Sequence, residues 1–183
     1  MLRYKNSYKI RFSSSLGGEF AFLLVIMLTT VKTHAQTFAL QHPTDTTAIL
    51  TLTTDSTADY CRIPYRTYRF CMGDINGDGK AEAIVGVIKK TRFDREMGRR
   101  LFIYKNIDGR IRPLWMGSRL GGILQDFRYT NGKIRSLETD KKGLFYVAEY
   151  TWGQFGLVFE RFITKETNRE EALRLFLENQ EYQ

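Results

Sequence analysis

The sequence predicts a mainly β chain, built of antiparallel meanders and closed by one C-terminal helix. Three observations carry this. Short runs rich in Val, Ile, Phe, Tyr and Thr recur from Tyr60 onward. Tight-turn dipeptides, Asp108-Gly109 and Asn131-Gly132, fall between those runs. Only the last stretch, Glu170 to Glu178, changes to helical spacing, with Leu173, Phe176 and Leu177 on one stripe.

Residues 1–35 have the pattern of a secretory signal peptide. Arg3, Lys5, Lys9 and Arg11 form a basic start, and Phe20 to Leu28 is an unbroken apolar run, too short to span a membrane. Thr33-His34-Ala35 offers small residues for cleavage before Gln36, and the Ala-Gln ending points to a bacterial envelope protein, secreted or periplasmic. Membrane contact is then expected only through this segment before cleavage. Removing it leaves 148 of the 183 residues, one ordinary domain. The segment carries five basic residues and one acid, so the net charge falls from +8 to +4. A mildly basic exported domain is a poor candidate for nucleic-acid binding.

Residues 36–59 are rich in Thr, Ser and Asp and read as a flexible segment with one edge strand around Ala48–Leu52. The β domain, 60–183, follows. Strands are expected over Tyr65–Met72, Glu82–Ile88, Arg100–Lys105 and Arg110–Met116. After the break at Gly121-Gly122 they resume over Ile123–Tyr129, Lys133–Glu138, Leu144–Thr151 and Phe155–Ile163. These form two four-stranded meanders, Tyr68 to Trp115 and Ile123 to Ile163. Thr167 or Asn168 caps a helix over about 168–179, with Glu170 and Glu171 in its first turn.

Between the first two strands lies Asp74-Ile75-Asn76-Gly77-Asp78-Gly79-Lys80-Ala81-Glu82. Side-chain oxygens at Asp74, Asn76, Asp78 and Glu82 occupy positions one, three, five and nine of a calcium loop. Lys80, at position seven, would offer its backbone carbonyl, and Gly79 sits where the chain must turn sharply. Val85 stands at position twelve, where an EF-hand needs a bidentate Glu, so the loop opens a strand instead. A metal-free glycine turn is the alternative.

A loop D-x-N-G-D-G-x-x-[DE] running into an apolar strand resembles the calcium loop of FG-GAP/VCBS repeats, known from integrin-α-like β-propellers. The resemblance covers Tyr68 to Ile88, and Glu82 departs from the Asp usual at its position. It implies Ca²⁺ as cofactor and a propeller blade for each meander. Propellers need about four to eight blades, and this chain has room for about three. A complete single-chain propeller is therefore excluded; a small sandwich, a barrel, a partial propeller and an oligomeric assembly stay open.

Other residues offer weaker chemistry. Arg110 and Arg112 share one strand face and would suit an anionic glycan or an acidic envelope protein; a solvated face is the plainer reading. Tyr150 and Trp152, beside a glycine-rich turn, either stack on sugar rings or fill the core. Cys61 and Cys71 allow a disulfide in an oxidising compartment, or remain two thiols. No G-x-S-x-G, H-E-x-x-H or P-loop is present, so no catalytic residue is assigned. Glu149 and Glu160 would be the acid and base of a glycoside hydrolase, a minor alternative. The sequence thus favours a calcium-binding domain with a binding or structural role at the cell envelope, with glycan binding as the second choice.

Overall fold

The computed structural model describes residues 36–117 and 119–178. The expected signal peptide, 1–35, and the last residue of the expected helix, 179, lie outside them. Eleven strands and one helix follow in chain order. The first sheet has the order β1-β2-β3: Gln36–Thr44, Thr47–Thr54 and Ala58–Ile63. The second is β4-β5-β6-β7: Arg66–Gly73, Glu82–Lys89, Gly98–Ile107 and Arg110–Met116. The third is β11-β10-β9-β8: Ile123–Thr130 (β8), Lys133–Thr139 (β9), Phe145–Gly153 (β10) and Gly156–Thr167 (β11). Helix α1, Arg169–Leu177, ends the described chain.

All described pairings are antiparallel. The two hairpin turns carry the positive φ angles that Asp-Gly and Asn-Gly supply: 52° and 77° at Asp108-Gly109, 48° and 75° at Asn131-Gly132. Asn168 caps α1 by accepting a 2.9 Å hydrogen bond from Glu171 N.

The sheets stack face to face, and alternation along β5 shows how. Ala83, Val85 and Val87 pack with Phe38, Leu50, Leu52 and Ile63 of the first sheet. Ile84, on the other side of the strand, joins Leu101 and Ile103 against Leu124, Phe127, Ile134 and Ala148 of the third. Leu137 and Val147, on the far face of the third sheet, meet Ala172 and Phe176 of α1. The middle sheet is thus covered on both sides, which accounts for the near-continuous apolar run Ala83–Ile88.

Residues 36–59 are not a flexible segment with one edge strand. They form β1, β2 and the start of β3. Ala48, Leu50 and Leu52 are fully buried on one face of β2, while Thr47, Ile49, Thr51 and Thr53 occupy the other. Without this sheet the Val85 face of β5 would be open to water.

Candidate metal centre

Asp74 to Glu82 joins β4 to β5, and positive φ at Gly77 (75°) and Gly79 (81°) folds it into a tight loop. Its carboxylates gather the loop's own amides. Asp74 Oδ1 accepts from Gly77 N (2.8 Å) and Asp78 N (3.1 Å), and Oδ2 accepts from Gly79 N (2.8 Å). Asn76 Oδ1 accepts from Asp78 N at 3.0 Å, and Asp78 Oδ1 from Lys80 N at 3.0 Å. Glu82, only 1% exposed, accepts from Ile75 N at 3.1 Å. Asn76 Nδ2 then bridges the remaining acids, donating to Asp78 Oδ2 (3.1 Å) and Glu82 Oε1 (3.2 Å).

The loop is anchored to every sheet. Tyr129 Oη of β8 donates to Asp74 O (3.0 Å), and Gln36 Nε2 of β1 donates to Ala81 O (2.7 Å). Asn106 Nδ2 of β6 holds the same Gln36 at 3.0 Å, and Lys105 Nζ stands 3.9 Å from Asp78 Oδ2. A Cβ on Gly73 would overlap the Tyr129 ring, so glycine is required at the loop's entrance. Gln36 and Tyr129 carry no sequence signal for this role, because they reach the loop only through the stacking of the sheets.

Electrostatics mark Glu82 as the unusual member. Burial pushes its carboxyl up to about 7, and the charges of Asp78 and Asp74 add to the push; the Ile75 N–H opposes it. The donor set is hard oxygen, the kind that suits Ca²⁺ rather than a thiolate- or imidazole-bound metal. Among the described residues, no three His, Cys, Asp or Glu side chains converge as a ready-made metal cluster. Instead the acids face backbone amides, and the Asn76 amide hydrogens stand where the remaining carboxylate oxygens need positive charge. These residues fit a hard cation if Asn76 turns its amide so that Oδ1 faces inward.

The other candidate residues are dispersed. Arg110 and Arg112 are exposed on the edge strand β7. Tyr150 is 4% exposed and Trp152 half-buried, and both pack in the core between the second and third sheets. They form no shared exposed platform: Trp152 packs among the core residues between the sheets, and Tyr150, buried beside them, shows only part of its ring to a cavity it lines with Phe159. Cys61 and Cys71 are free thiols, not a disulfide. Cys61 packs between the first two sheets and Cys71 between the second and third, so the middle sheet separates them. Burial pushes the Cys71 thiol up to about 11.

Glu149, 2% exposed, is clamped by Arg135 (2.9 and 3.2 Å) and Arg161 (2.8 Å). Burial acts to raise its carboxyl, but the two guanidinium partners prevail and hold it below the ordinary range. Glu160 is paired with Lys133 at 2.6 Å. Both carboxylates are therefore committed to cations, Glu149 to Arg135 and Arg161 and Glu160 to Lys133.

No protein-family model matches the chain, and no curated protein matches it. Among solved structures, one described as a Xanthomonas type IV secretion system related protein aligns at a TM-score of 0.43 and 12% identity. The alignment covers 76% of this chain and 86% of that one. A likeness of that size assigns neither family nor function.

Proposed function

We propose that this chain is an exported calcium-binding β domain with a structural or binding role at the bacterial cell envelope. Asp74, Asn76, Asp78 and Glu82 supply side-chain oxygens, and Lys80 its carbonyl. The bound ion would lock one loop and, through Tyr129, Gln36 and Lys105, the sheets that meet on it. The observation that carries this reading is Glu82: a buried carboxylate beside two aspartates, answered by amides and by no Lys or Arg among its described contacts. A cation would remove that imbalance. Arg110 and Arg112, on the exposed edge, would meet an acidic protein surface or an anionic glycan.

The test is thermal unfolding of the purified protein in chelator and in millimolar Ca²⁺. Extracellular calcium modules bind with Kd of about 10⁻⁴–10⁻³ M. At about 1 mM Ca²⁺ and the tighter limit, binding adds roughly 1.4 kcal/mol. The midpoint rises in the wild type and not in Asp78→Ala. Equal midpoints in both buffers for the wild type would leave a metal-free glycine turn and remove the support for the repeat resemblance.

A further inference from the structure

Strands β10 and β11, at one edge of the third sheet, turn four aromatic rings into an open cavity of about 350 Å³, lined by Gly121, Tyr146, Tyr150, Phe159 and Phe162. The rings meet in a chain along its wall. Tyr150 meets Phe159 edge-on at 5.9 Å, Tyr146 meets Phe162 edge-on at 5.6 Å, and Phe159 and Phe162 lie 4.7 Å apart. The two phenylalanines are 45% and 39% exposed, which is costly for large apolar groups unless something covers them.

Behind the tyrosines sits Glu138, fully buried. It accepts from Tyr150 Oη (2.8 Å), Tyr146 Oη (3.3 Å), Ser136 Oγ and Gly122 N. These described partners are hydroxyls and an amide; none is a cation. Burial and the Glu138 charge push both tyrosine hydroxyls well up, so they keep their protons and donate them; exposed Arg119 opposes this in part at Tyr146. A phenol donating to a carboxylate gains electron density, so these rings present faces more negative than ordinary tyrosines. The glycine corner is part of the design. A Cβ on Gly122 would overlap the Tyr146 hydroxyl, and one on Gly121 would stand 2.9 Å from the Tyr150 hydroxyl. One of these rings already faces a cation: Lys165 Nζ, three residues along β11, lies 4.3 Å from the Phe162 ring centre, in an adjoining hollow with Asp140 and Glu166.

We infer that this cavity binds an organic cation, an alkylammonium or quaternary ammonium group, held by the faces of Tyr146, Tyr150, Phe159 and Phe162 with Glu138 supplying the opposite charge behind them. Aromatic walls cannot replace the water shell of a small metal ion, but they suit a weakly hydrated, methyl-bearing ammonium. The same chemistry is carried by a free solute and by a lipid head group.

Calorimetric titration of the purified protein with choline chloride tests this, with tert-butanol as an uncharged group of similar size. Choline is expected to bind in the millimolar range and tert-butanol about tenfold more weakly or not at all. Phe159→Leu and Phe162→Leu keep apolar bulk at exposed positions and remove the ring, so each lowers choline affinity about tenfold with folding retained. Glu138→Gln lowers it too, and circular dichroism shows whether that variant is folded. Cosedimentation with phosphatidylcholine vesicles that is lost in Phe159→Leu assigns the cation to a lipid. Choline binding without cosedimentation assigns it to a solute, and either result supports the site. Equal binding of tert-butanol, no choline binding at tens of millimolar, or unchanged affinity in both leucine variants would overturn the inference.

Discussion

Glu82 and Glu149 are the same residue at the same depth, 1% and 2% exposed, yet the structure drives them in opposite directions. Glu149 receives two guanidinium groups from neighbouring strands, and its carboxyl is held low. Glu82 receives amides and two neighbouring acids, and its carboxyl rises to about 7. The two sites draw their charge compensation from different sources. One site carries its cations in its own chain; the other is answered only by the Ile75 N–H and the Asn76 amide among its described contacts.

The largest effect should come from breaking the self-sufficient site. Arg135 is 2% exposed and also donates to Leu175 O and Glu178 O at the end of α1. Glu149→Leu leaves that guanidinium with carbonyls alone. We expect a loss of about 3–5 kcal/mol in denaturant unfolding, as for other buried pairs broken from one side. The double variant Arg135→Met with Glu149→Leu should recover most of it, because well-packed apolar replacements of a buried pair are often neutral. A double variant as damaged as the single would show that the guanidinium is needed to dock α1 rather than to balance Glu149.

The next effect is one of sign. A raised folded-state carboxyl means that the unfolded chain releases its proton first. In chelator, Glu82 should therefore lower stability as pH climbs from about 4.5 to 7, by roughly 2–3 kcal/mol. Glu149 works the other way: its contribution is present at neutral pH and is lost as pH falls below the ordinary carboxylate range. Stability curves at pH 5 and pH 7.5 check Glu82, and curves carried from pH 5 down to about pH 3 check Glu149. Glu82→Gln should flatten the neutral slope, and Ca²⁺ should flatten it in the wild type. A neutral slope that survives in Glu82→Gln would place its origin elsewhere.

That contrast was only half legible in the sequence. The loop's tight turn was readable because its hydrogen bonds run among nine consecutive residues, Asp74 to Glu82. The two four-stranded meanders were readable for the same reason: Asp108-Gly109 and Asn131-Gly132 fix local hairpins. What escaped was everything that depends on one sheet lying on another. The first sheet hid behind its threonine face, although Ala48, Leu50 and Leu52 alternate toward the core. The separation of Cys61 from Cys71 by the middle sheet could not be read from their spacing. Nor could the gathering of Glu138, Tyr146 and Tyr150, which needs the register of β9 on β10 and the corner at Gly121-Gly122. Glu149 looked like a candidate acid because its partner Arg135 is fourteen residues away and meets it only through strand pairing.

The smallest effect belongs to a third acid, Asp126, which also pairs across elements but at the surface. Arg69 of β4 donates to it through both Nε and an Nη, linking the second sheet to the third. The two side chains are 44% and 22% exposed, so water already solvates much of their charge. Asp126→Asn keeps an oxygen for the Phe127 N–H, which now donates to Oδ1 at 2.9 Å. It removes the charge and the oxygen that accepts from one Arg69 Nη. We expect a change of about 1 kcal/mol or less, shrinking as salt is added. Set beside the expected 3–5 kcal/mol at Glu149, that ratio would show that desolvation, not the number of ion pairs between elements, decides what a carboxylate is worth here. A salt-insensitive loss as large as that at Glu149 would mean instead that Asp126 acts by fixing the bulge in β8, where register shifts between Leu124 and Asp126.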